Sequence, residues 1–339
     1  MTSRRHQSHR PDQHRRMPRA GALLIALLSA LLLAGTGTIT AQAVQAQPAG
    51  PAVAAALGAG IVPAAASADG DFVPTVYGEF DPGFIISDAN FYDSRAMSEA
   101  EIQLFLEQQD CVAKDGVSCL ADFTQTTTSQ KAEGGQHCAA YTGARSEPAS
   151  RIIAKVAVAC GISPRALLVL LQKEQSLLTR PSEHGYTRAM GYGCPDTADC
   201  DTEYFGFFNQ VFNAAWQMRQ YTEQPERQYK VGTVEVGYHP DAGCGSSAVD
   251  IRNQATANLY NYTPYQPNRA ATSDLAGEGD GCSTHGNLNF WLLYSKWFGD
   301  PQTVPFPAIF GACTNLVGGH GCGVPRWPLA PLPAEFSTE

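Results

Sequence analysis

Ten cysteines constrain this chain more than any other feature. They stand at 111, 119, 138, 160, 194, 200, 244, 282, 313 and 322, all far from the N-terminus. An even count in an exported chain reads as a disulfide framework. Pairing neighbours in sequence makes a set of local loops, notably Cys194–Cys200 and Cys313–Cys322, although spacing alone does not prove that connectivity. A zinc site is the competing use of cysteine. No Cys-x-x-Cys pair occurs, and no His-Glu-x-x-His, so no metal site is expected, and no cofactor either.

The N-terminus supports export. Arg4, Arg5, Arg10, Arg15, Arg16 and Arg19 precede an apolar run from Ala20 to Gly35, and the small-residue sites Ala41-Gln-Ala43 and Val44-Gln-Ala46 follow. This is a signal-peptide pattern, too short for a comfortable membrane span. Residues 1–46 are read as the signal peptide and 47–83 as an Ala/Pro/Gly-rich linker. Residues 84–300 are read as one folded domain and 301–339 as a Pro-rich tail with one disulfide. Removing 1–46 takes six Arg and one Asp from a chain of net charge −9, leaving −14. So acidic a chain has no general basic field for nucleic acid. No membrane contact is expected after cleavage, and the destination is extracellular or wall-associated.

The core reads as mainly α with little strand. Ser98-Glu-Ala-Glu101 is a capping box opening a helix to about Gln109. A helix from about Arg151 to Cys160 stops at Gly161. Residues 162–179 read as a second helix, with Ser163 as N-cap and Pro164 in its first position, so the two suggest an αα-hairpin. Phe205 to Tyr221 reads as helix, and residues 229–238 as a short strand or hairpin. Ser247 is placed as the cap of a helix with apolar stripe Ala248, Ile251, Ala255, Leu259 and Tyr262. A last helix runs from about Leu288 to Phe298, stopped by Gly299.

Glu174 is the conspicuous polar residue. Leu167, Leu170, Leu171, Leu177 and Leu178 stand three, four or seven positions from it, so a helix over 162–179 projects it from an apolar stripe. A carboxyl group held against apolar surface stays protonated to higher pH, as a general acid in glycoside cleavage requires. The bland alternatives are a core Glu paired with an Arg, or a stripe edge that reaches solvent.

Three segments follow in order: Gln172-Lys-Glu-Gln-Ser176, Phe205-Gly-Phe-Phe-Asn-Gln-Val211 and Leu259-Tyr-Asn-Tyr-Thr-Pro-Tyr265. Together they resemble the lysozyme-like superfamily, most closely its lytic transglycosylase and goose-type muramidase branch. The chain also resembles, from about Phe84 to Gly299, secreted high-GC Gram-positive proteins described as hypothetical or hemagglutinin-like.

The first resemblance implies an α+β lysozyme-like fold with Glu174 as catalytic acid/base. Gly206 and Gln210 would line a glycan cleft, and Tyr260, beside Asn261, would hydrogen-bond the catalytic carboxyl. Ser176, Tyr192 and Tyr265 complete the expected substrate-binding set. The implied partner is peptidoglycan or another N-acetylated glycan, with oligomeric state open. Gln175 inserted before Ser176, and one extra residue in the second motif, depart from the family pattern. Ala189-Met-Gly191 is a rival for that motif. A second carboxylate, if hydrolysis needs one, would come from Glu183, Asp196, Asp199, Asp201 or Glu203. The alternatives are a non-catalytic glycan-binding or adhesin-like protein on the same scaffold, and a peptidase using Cys244. An even cysteine count favours Cys244–Cys282 as a disulfide instead.

Overall fold

The computed structural model describes residues 78–132, 137–195, 199–304, 313–314 and 316–319. Over these the chain is mostly helical, with two short antiparallel strand pairs and four disulfides. The signal-peptide segment, most of the linker and most of the tail lie outside the described residues. The packed part of the chain begins before Phe84. Phe80 lies edge-on to Trp291 at 5.9 Å, and Arg252 N–H donates to Gly83 O at 2.9 Å.

In chain order, α1 is Asp88–Tyr92 and α2 is Glu99–Glu107; the expected Ser98/Glu101 capping box is present. Strand β1 (Thr124–Gln125) pairs with β2 (Glu147–Pro148), which leads into α3 (Ala149–Cys160). Gly161 caps α3 at φ 66°, a left-handed conformation open to glycine at little cost. Then α4 (Pro164–Gln175) leaves α3 through a bend of 120°, a more open corner than the near-reversal of an antiparallel hairpin. Pro164 takes the first helical position as expected. Ser163 holds the N-cap position, but its hydroxyl makes no cap bond and is buried without a partner.

Helix α4 is the centre of the fold. Residues 166–171 are all buried, so this helix has no polar face along most of its length. It packs on α9 (Gly286–Phe298), whose Phe290, Trp291 and Tyr294 are also buried. Fully burying each such side chain is worth about 1.5–3 kcal/mol. The long helix α6 (Phe207–Glu223) packs on α3 and on α7 (Gln254–Tyr262). Two short helices, α5 (Glu183–Thr187) and α8 (Arg269–Ser273), sit in connecting segments.

Strand β3 (Gly232–Gly237) lies within the short strand or hairpin expected over 229–238, and it pairs antiparallel with β4 (Ser246–Ile251), from Gly232↔Ile251 to Gly237↔Ser246. This corrects the helix expected from Ser247. Val249 and Ile251 alternate inward along a strand, and Asn253 caps α7 by accepting from Thr256 N–H. Ala248 and Ile251 happened to continue the spacing of a helix that starts later.

Four disulfides join neighbours in sequence: Cys111–Cys119, Cys138–Cys160, Cys194–Cys200 and Cys244–Cys282. Cys313 is also disulfide-bonded; Cys322, its expected partner, lies outside the described residues. These bridges suit an oxidising compartment outside the cytoplasm. With Cys244 bridged, it is no nucleophile.

Candidate functional site

Ser176 ends α4. It adopts a left-handed conformation at φ 54°, and its N–H turns back to Gln172 O. Leu177 and Leu178 then enter the core from a non-helical turn, with Leu178 N–H donating to the Gln172 Oε1 at 3.1 Å. The stripe expected to surround Glu174 therefore stops at Leu171, and Glu174 stands on the last turn, where the helix reaches the surface.

Its carboxylate is not alone there. Lys173 Nζ lies 2.5 Å from Glu174 Oε1 and donates to Thr263 Oγ1 at 2.8 Å. The Lys173 side chain is 6 % exposed and that of Glu174 23 %. This is the paired-carboxylate arrangement, not an isolated acid against apolar surface. The other oxygen, Oε2, faces Gly191, where an added Cβ would sit 3.6 Å away. Gly191 has φ +70°, so glycine suits the position on backbone grounds.

Gln210 shapes the loop that carries Gly191. Buried at the start of α6, its Oε1 accepts from Met190 N–H at 3.2 Å and Tyr192 N–H at 3.0 Å. Its Nε2 donates to Tyr192 O and Tyr204 O, both at 2.8 Å. Tyr192 meets Tyr204 edge-on at 4.8 Å. The Cys194–Cys200 bridge closes the same loop, and Arg188 Nε donates to Cys200 Sγ at 3.2 Å. Tyr262 adds a tie from α7, donating to Met190 O at 2.6 Å. Burial pushes the Tyr262 phenol well above its ordinary range, and the negative charge of Glu174 adds to this.

Glu174, Gln210 and Tyr192 are thus gathered by one loop. The remaining expected residues have other duties. Tyr260 is fully buried and donates to Pro82 O at 3.0 Å rather than to Glu174, correcting the role implied for it. The tyrosine of α7 whose phenol feels the Glu174 charge is Tyr262, two residues on. Asn261 braces Tyr229, donating to its carbonyl at 2.6 Å and accepting from its N–H at 3.4 Å. Gly206 is the N-cap of α6 at φ 100°, with its N–H on Thr187 O. Tyr265 makes a one-residue parallel bridge to Gly237. Ser176 is the exposed helix terminus. Glu183, Asp199, Asp201 and Glu203 are exposed, and Asp196 lies outside the described residues.

Lys173 and Thr263 were missed from sequence. The only signal was a Lys adjacent to the Glu, and adjacent helix positions ordinarily point apart. Gly191 lay within the rival second motif. Among the described residues, no three His, Cys, Asp or Glu gather as a metal site would need.

The model of the family described as LasA, N-terminal domain, matches residues 84–309. No curated protein and no solved structure matches the chain. LasA is a staphylolytic peptidase, and nothing in the comparisons supports the lysozyme-like superfamily. The match corrects the expectation of a lytic transglycosylase or muramidase, because it points to a peptidase system and not to glycan-strand cleavage. The glycan-binding alternative gains nothing from it. Taken with the paired Glu174 and the buried Tyr260, the match leaves one family assignment: the chain belongs to the LasA N-terminal domain family.

Proposed function

We propose that this chain is a non-catalytic, propeptide-like domain serving a LasA-type secreted peptidase. It associates with the folded peptidase and restrains its activity until the two separate. The observation that carries the reading is the family match, which spans the helical core from Phe84 through α9. The geometry around Glu174 is in keeping with it. Gln210, Tyr260 and Asn261 are spent on backbone groups, and Glu174 on Lys173, so these side chains hold the fold together.

The test is to titrate the purified full chain into a LasA-type peptidase, following complex formation by calorimetry and activity by a cell-lysis assay. A saturable complex with slowed lysis, unchanged by Glu174→Gln, is the expected result. No complex and no change in lysis rate would sink the proposal.

A further inference from the structure

The Cys194–Cys200 bridge carries a cation on one of its sulfurs. Arg188 Nε donates to Cys200 Sγ at 3.2 Å. Two further contacts hold the guanidinium there. Its Nη1 meets His184 Nδ1 at 3.1 Å, and the group lies over the Phe205 ring at 4.8 Å. Neither partner is a carboxylate, so neither contact neutralises the charge that faces the sulfur. Asp199 and Asp201 flank Cys200 in sequence, but both are exposed, where solvent screens them.

Access alone does not single out this bridge. Cys138 and Cys160 are buried, which closes their disulfide to a reagent. Cys111–Cys119 and Cys244–Cys282 are partly exposed, as Cys194 and Cys200 are. The Arg188 contact makes the difference, and it is also directional. Thiol–disulfide exchange runs faster when the departing sulfur is a stabilised thiolate. A neighbouring guanidinium stabilises a thiolate and offers it a charge-assisted hydrogen bond. Cys200 is therefore the sulfur built to leave, and Cys194 the one to be attacked. Opening the bridge does not dismantle the loop, because Gln210 and Tyr262 still hold its backbone at Met190 and Tyr192.

We propose that Cys194–Cys200 is a thiol-exchange site, with Cys194 as the point of attack by an external dithiol and Cys200 as the leaving group. A reagent thiolate bonds to Cys194 Sγ, the Cys194–Cys200 bond breaks, and its electron pair departs on Cys200 Sγ beside Arg188. The reagent's second thiolate then attacks its own sulfur in the mixed disulfide and releases Cys194. The reagent is oxidised to a disulfide, the bridge is reduced to two thiols, and the reagent's two protons pass to them. The site is independent of the peptidase association, since its chemistry involves only this chain and a thiol.

The test uses the native full chain with dithiothreitol, quenched at intervals with iodoacetamide and mapped by mass spectrometry. Cys194 and Cys200 are expected to label first, at least about tenfold faster than Cys111–Cys119 and Cys244–Cys282. Arg188→Gln, with folding checked by circular dichroism, should slow that opening by a similar factor and leave the other bridges unchanged, while Arg188→Lys keeps most of the rate. A single thiol, glutathione, fixes the direction: its adduct is expected on Cys194. Earlier opening of another bridge would overturn the proposal, as would an unchanged rate in a folded Arg188→Gln or an adduct found mainly on Cys200.

Discussion

Gln210 grips both backbone polar groups of Tyr192, accepting from its N–H at 3.0 Å and donating to its carbonyl at 2.8 Å. They stand 18 positions apart in the chain, with the Cys194–Cys200 loop between them. One buried side-chain amide thus sets the backbone that faces Glu174.

Removing that grip leaves buried backbone groups without partners. Gln210→Ala is expected to cost about 3 kcal/mol in urea unfolding. Gln210→Glu should cost no less, because a carboxylate cannot donate to Tyr192 O and Tyr204 O. A loss below about 0.5 kcal/mol in both variants would show that the clamp is dispensable.

The Lys173–Glu174 pair should behave as a structural unit. Glu174→Gln strands a nearly buried ammonium, and a loss of about 1–3 kcal/mol is expected, less than for a fully buried pair because Glu174 is 23 % exposed. Lys173→Met combined with Glu174→Gln should recover part of that loss. A double-mutant cycle measures the coupling, and strict additivity would refute it.

Glu147 ties acid stability to one buried cluster. Burial alone would raise its carboxyl, but Lys155, Thr127 and Tyr141 all donate to it and hold it below the usual carboxylate range. A depressed carboxyl contributes stability above its unfolded value, which is lost as pH falls through its folded value. Glu147→Gln should therefore be less stable than wild type at neutral pH, with the difference shrinking on acidification. Thermal melts across that range check it, and a difference that grew in acid would reverse the sign.

The Cys138–Cys160 bridge closes a loop across 22 positions and anchors the end of α3. Replacing both cysteines with Ser should cost about 3 kcal/mol by loop entropy. Comparing denaturant midpoints at equal slope measures it, and an unchanged midpoint would count against the loop-entropy account.

The helical character was legible because its signals are local. The Ser98/Glu101 box, Pro164, Gly161 and Gly299 mark helix ends through their own backbone chemistry, and the structure keeps all of them. Neighbour-to-neighbour cysteine pairing was legible for the same reason, since short loops bring such pairs together. Boundaries failed where two periods overlapped. Leu177 and Leu178 fit a helical stripe on paper, but Ser176 had already turned left-handed; Ala248 and Ile251 fit one too, yet β4 pairs with β3.

By itself the sequence determined a disulfide-bonded, mostly helical domain, because capping, glycine conformations and apolar runs act over a few residues. Only the tertiary structure decided what surrounds Glu174. Whether a carboxylate is solitary depends on groups arriving from elsewhere: Thr263 from the end of α7, Gly191 from a loop and the stem of Lys173 folded back beside it. It also decided between Tyr260 and Tyr262, neighbours at alternate positions of one helix, since the direction in which α7 presents each ring is set by its packing on α6 and not by its own residues.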